Sequence, residues 1–122
     1  MQKENPMTVV LPWPPKELNP NNTSHWRAKS KHKKSYRLAC WALTKNAKIK
    51  VDWPGTIHVW LTFVPPDRRK RDDDNMIGAF KAGRDGLAEA LGVDDSRFRL
   101  HIEVANRVGG MVEVRLTKEL TE

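Results

Sequence analysis

At 122 residues the chain has room for one domain, spanning 1–122, around one modest core. Hydrophobic residues make up 39% and charged residues 30%, and no apolar run nears the ~20 residues that cross a bilayer, which excludes a membrane-spanning helix. The net charge of +7 is uneven: residues 1–50 carry eleven Lys/Arg against two Glu, and residues 51–122 carry eleven Lys/Arg against thirteen Asp/Glu.

A basic first part followed by an acid-bearing second part suits a polyanionic partner, nucleic acid above all, although basic surface also serves solubility alone. The start, MQKENPMTVV, lacks the apolar core of a signal peptide, and the single cysteine, Cys40, can form no internal disulfide. Both features point to the cytoplasm, with Cys40 an inert thiol half-buried in a helix.

In chain order, residues 7–11 read as a short strand stopped by Pro12-Trp13-Pro14-Pro15. The loop "LNPNNTS" leads to Ser24, a candidate cap for a helix over about 25–48, whose apolar stripe is Tyr36, Ala39/Cys40, Leu43 and Ala47. Residues 56–64 alternate Ile57, Val59, Leu61 and Phe63 with His58, Trp60, Thr62 and Val64. Both faces are largely apolar, which predicts a central strand or one at a dimer interface.

A second helix is expected over 76–91 with Met76/Ile77, Phe80, Leu87 and Leu91 inward, Asp74 as its N-cap and Gly92 as its stop. Its three glycines each weaken it by up to ~1 kcal/mol relative to Ala, so packing must hold it, and they permit close approach to the sheet or a second subunit. Residues 100–104 and 112–116 alternate on either side of Gly109-Gly110, which reads as a hairpin. The order β-α-β-α-β-β gives an α+β domain, a small mixed sheet with two main helices.

The stretch "RRKRDDDN", residues 68–75, sets four cations against three carboxylates. As a lone run it reads as a solvated turn. In extended backbone, however, Asp72 and Asp74 would project to one side and share a hard cation, with Asn75 as ligand or orienting group. A further acidic pair, Asp94-Asp95, follows the second helix, at a distance that a bend in the chain or a second subunit must close.

Other metal and phosphate motifs fail on spacing. A calcium loop starting at Asp72 would need Gly where Ile77 stands and Glu where Gly83 stands, and one Cys with four scattered His makes no zinc pattern. No glycine-rich phosphate loop is present, so no nucleotide cofactor is expected. Metal-assisted hydrolysis remains. Trp41 and Trp60 are expected in the core, whereas Trp13 and Trp26, beside loops and cations, either pack or stack on an unpaired base.

The segments "LPWPP" (11–15), "PDRRKRDDDN" (66–75), "FKAGRDGLAEALGVDD" (80–95) and the "GG" with its closing strand resemble, in order, the RusA family of Holliday junction resolvases of bacteria and their prophages. The resemblance implies a homodimer that resolves four-way DNA junctions by paired nicks with Mg²⁺ or Mn²⁺, in recombination and repair. It places the family's metal-binding acids on Asp72, Asp74 and Asp95, with Asp94 adjacent. It further implies an active-site lysine; position 78, where the family places it, is Gly, and Lys81 is the candidate, with a plain ion pair to Asp85 as the alternative. DNA contacts are expected from Arg68, Arg69, Lys70 and Arg71 and from the basic helix around Lys29, Lys33 and Arg37. The competing readings are a nuclease for flaps or other branched DNA and a non-catalytic branched-DNA-binding protein.

Overall fold

The computed structural model describes residues 7–23 and 25–120. The elements are strand β1 (Thr8–Pro12), helix α1 (Trp26–Asn46), strand β2 (Ile57–Val64), helices α2 (Asp73–Ala79) and α3 (Lys81–Leu91), and strands β3 (Phe98–Val104) and β4 (Met111–Thr117). The α+β reading holds, with a mixed sheet of four strands. The second helix, however, is two helices that meet at Phe80. Ser24, the expected cap, lies outside the described residues; α1 is capped by His25, whose Nδ1 accepts from the Arg27 amide at 3.2 Å.

The sheet order is β1-β4-β2-β3, with β2 inside as its two-sided apolar pattern requires. Ile57, Val59, Leu61 and Phe63 are fully buried beneath the helices. The expected β3–β4 hairpin does not form. β3 runs parallel to β2, from Ile57↔Phe98 to Phe63↔Val104, and β4 lies antiparallel between β1 and β2. The two glycines turn the chain onto β2 instead: Gly109 and Gly110 donate to the Pro65 and Val64 carbonyls at 2.8 and 2.9 Å, with Gly110 at a positive φ of 86°.

The outer sheet face is open and polar. Trp60 lies there, half-buried, and not in the core: Arg115 sits 5.0 Å over its ring and His101 stacks at 4.1 Å. His58 hydrogen-bonds His101 at 2.9 Å. Partial desolvation, then His58 and Arg99, hold the His101 imidazole below its ordinary pKa.

Helices α1 and α3 cross closely because α3 has no side chains in the way. A Cβ on Gly86 would stand 2.4 Å from the Arg37 carbonyl oxygen, and one on Gly83 2.8 Å from the Tyr36 ring. The buried stripe of α1 is Tyr36, Cys40 and Thr44, at i, i+4 and i+8; Leu43 is 40% exposed and Ala47 is on the surface. The Tyr36 hydroxyl donates to the Pro12 carbonyl, tying α1 to the end of β1. Burial pushes the Cys40 thiol up to about 12, so it is un-ionised and inert at neutral pH. Among the described residues, no helix is long and apolar enough to cross a membrane.

Replacing Gly86 by Ala improves helix propensity by at most ~1 kcal/mol. The methyl must then displace backbone, which costs about 1–3 kcal/mol. Gly86→Ala is expected to lower Tm by about 5 °C in calorimetry; an unchanged or raised Tm would mean that the helices part without strain.

Candidate active site

β2 leaves the sheet at Val64, and Pro65-Pro66 ends its ladder. Asp67 then folds the following loop on itself: its Oδ1 accepts from the Arg69 amide at 2.9 Å, a local turn typical of aspartate. Arg71 closes the loop. Its Nη2 lies 2.9 Å from Asp67 Oδ1, and its Nη1 donates to the carbonyls of Asp67 and Arg69 at 3.1 and 3.0 Å. The guanidinium also sits 5.5 Å over the ring of Trp13, which meets Phe63 edge-on at 6.0 Å. The Arg69 amide, with Arg71 and Arg69 in support, holds the Asp67 carboxyl below its usual pKa.

The four consecutive cations are therefore not equivalent. Arg68, Arg69 and Lys70 are exposed, with the Arg69 side chain 81% accessible against 18% for Arg71. Three face outward and one locks the loop. The turn signal is present in the sequence, an Asp two residues before Arg69 and four before Arg71; the folded loop brings Arg71 to 2.9 Å from that Asp and leaves Arg69 at 3.5 Å.

The acids differ from the extended arrangement expected of them. Asp72, at φ −88° and ψ 128°, is the N-cap of α2, and its Oδ1 accepts from the Asp74 amide at 2.8 Å. Asp74 is thus not the cap; Asp73 and Asp74 occupy the first helical turn, where the helix dipole favours carboxylates. All three are exposed, and Asn75 follows half-buried.

Asp94 caps the short turn Asp95–Arg97, accepting from the Ser96 amide at 2.8 Å, which holds its carboxyl below the usual range. Asp95 Oδ2 lies 3.6 Å from Arg84 Nη2. Topology separates the two acidic groups. Asp72 follows the end of β2, Asp95 precedes the start of β3, and these strands run parallel, so the acids flank opposite ends of the pair. Eight strand residues at about 3.3 Å each put them roughly 25 Å apart. Among the described residues, no three His, Cys, Asp or Glu side chains could hold a metal ion together. Among the described residues, Asp72 and Asp74 stand together at the start of α2, and Asp95 stands apart from them beside Arg84.

Lys81 opens α3 and pairs with Asp85 at 3.1 Å. It lines a groove of about 440 Å³ between α1 and α3, shared with Lys33, Lys34 and Arg37. A different groove, of about 390 Å³, adjoins Asp72 and runs between the Trp13–Lys16 segment and the Arg71 loop. Lys29 is half-buried at the start of α1, beyond both grooves.

Arg71→Lys keeps the charge but loses the planar fork that engages Asp67 and two carbonyls at once. Amide exchange at Arg69 is expected to speed up at least about tenfold in that variant and to be unchanged in Arg68→Ala. Equal protection in both variants would remove the lock.

No family model matches the chain. It is 40% identical to an uncharacterized protein of Xylella fastidiosa over 115 residues, covering 90% of this chain and 75% of that one. It is 29% identical to the crossover junction endodeoxyribonuclease RusA of Escherichia coli strain K12, and equally to that of Shigella sonnei, over 121 residues, 93% of this chain and 96% of each relative. The chain therefore belongs to one family with the Xylella fastidiosa protein and is a distant relative of the RusA crossover junction endodeoxyribonucleases.

Proposed function

We propose that the chain, as a single domain over 1–122, is an endonuclease for branched DNA. As a homodimer it resolves four-way junctions by paired nicks with Mg²⁺ or Mn²⁺, in recombination and repair in the cytoplasm of a bacterium or its prophage. The observation that carries this reading is the exit of β2, where Arg68, Arg69 and Lys70 stand exposed immediately ahead of Asp72 and Asp74. Relatives named for crossover junction cleavage match the chain nearly end to end, which supports the junction as substrate.

The cations bind backbone phosphates and set the strand over the acids. Lys29, Lys33 and Arg37 on α1 take a second arm of the junction; Lys33 and Arg37 line a groove separate from the one beside the Arg71 loop. Lys81 shares the groove of Lys33 and Arg37, so a catalytic role for it requires DNA or a second subunit to bring it to the scissile phosphate. Asp72, Asp74 and Asp95 are the proposed cation-holding acids, with Asp94 and Asn75 beside them. Because one chain separates them, the set is completed between subunits: a two-fold that reverses strand direction lays one subunit's Asp72 end over the other's Asp95 end. Two such sites suit two symmetric cuts.

The separation of the acids also favours a second reading, a protein that binds branched DNA without cutting it. Cleavage of a labelled four-way junction with Mg²⁺ decides between them. Wild type is expected to leave paired nicks and spare linear duplex, with Asp74→Asn slower by about 10² or more. Tight binding by wild type with no nicking would select the non-catalytic reading, and an unimpaired Asp74→Asn would remove the acid from the site. Preference for a flap over the junction would change the substrate.

A further inference from the structure

Phosphate-binding cations and an exposed carboxylate pair need only an open surface. Beside Asp72 there is instead a walled groove of about 390 Å³, the size of a small organic ligand. Trp13, Pro14 and Pro15 form one wall, and Asn75 with Met76 stands across from them on α2. Trp13 is fixed before any ligand arrives, edge-on to Phe63 and beneath the Arg71 guanidinium. Arg71 occupies one face of the half-exposed indole, and the part of the ring that lines the groove is the stacking surface it offers to a base.

The polar groups complete a nucleotide's requirements. The Asn75 side-chain amide has no hydrogen-bond partner among the described residues, leaving a donor and an acceptor for a base edge. Asn19 spends its Oδ1 on the Asn21 amide and keeps its NH₂. Exposed Arg69 and Lys70 stand at the rim, next to Asp72, where a phosphate would lie. A base within a duplex presents neither a free face nor a free edge to such a groove; an unpaired one presents both.

We infer that this groove binds one unpaired nucleotide of branched DNA, with the base on Trp13 and Asn75 and its phosphate at Arg69 and Lys70. The bound nucleotide fixes the strand's register over Asp72. This subsite rests on the branched-DNA reading above and gives that reading a source of selectivity: branch points release a base at less cost than duplex does.

The test uses three fluorescein-labelled four-way junctions, bound in Ca²⁺ and followed by anisotropy. One is fully paired, one carries an extra unpaired thymidine at the branch, and one carries an abasic residue in the thymidine's place. The thymidine junction is expected to bind about tenfold tighter than the abasic one, and that ratio to fall towards one in Trp13→Ala and in Asn75→Ala. Asn75 is half-buried in the first turn of α2 and makes no side-chain hydrogen bond among the described residues, so its variant serves if Trp13→Ala fails to fold. Equal affinity of wild type for the thymidine and abasic junctions overturns the subsite and leaves the branched-DNA reading standing. A ratio that survives in Asn75→Ala and in folded Trp13→Ala equally overturns it. A protein that binds no junction better than linear duplex overturns both.

Discussion

The Arg71 guanidinium is held on several sides at once: by the Asp67 carboxylate, by the carbonyls of Asp67 and Arg69, and by the ring of Trp13. Planar, fork-shaped and permanently charged, it suits this site in a way that an ammonium does not. Through it the chain leaving β2 is tied to the chain leaving β1, since Trp13 follows directly on Pro12. The outward turn of Arg68, Arg69 and Lys70 and the position of Asp72 as helix cap both follow from that closure. A run of like charges that would repel in an open loop is thereby split into one structural cation and three exposed ones, of which Arg69 also reaches Asp67 Oδ1 at 3.5 Å.

The sheet imposes the second constraint. A parallel β2–β3 pair requires the α2–α3 segment to carry the chain back to the starting end of the sheet. The glycines of α3 let that segment lie close against α1. The same return path puts Asp72 and Asp74 at one end and Asp95 at the other. Among the described residues no three such carboxylates come together, and the strand topology accounts for that by placing them at opposite ends. Two-fold pairing reverses ends and removes the distance, so the proposed dimer and the proposed chemistry are one requirement.

Local features of the fold were legible in the sequence. The two-sided apolar alternation of residues 56–64 marked a central strand, and Gly92 stops α3 in the left-handed region at φ 68°; the glycines of α3 do mark a close approach, but to α1 and not to the sheet or a second subunit. Long-range pairing was less legible. Alternating segments around Gly109-Gly110 suggest a hairpin, yet β4 enters between β1 and β2, where Val112, Val114 and Leu116 bury completely. Trp60 looked like core by its apolar bulk, but strand parity puts it on the open face, covered by Arg115 and His101. At the candidate site, the residue types and their grouping were readable. The capture of Arg71, the cap at Asp72 and the separation of Lys81 depend on backbone direction, which charge patterning does not encode.

A site shared between subunits has a consequence that mixing experiments read directly. Asp72→Asn and Asp95→Asn chains, each inactive alone, are refolded together so that mixed dimers form. In a mixed dimer one of the two shared sites draws Asp72 from one subunit and Asp95 from the other, both unaltered. The expected result is restored nicking of one strand of a four-way junction, near half the wild-type rate for the mixed species. If the mixture stays inactive while wild type cuts, all three acids act from one chain, and the account of the site given by the strand topology is wrong.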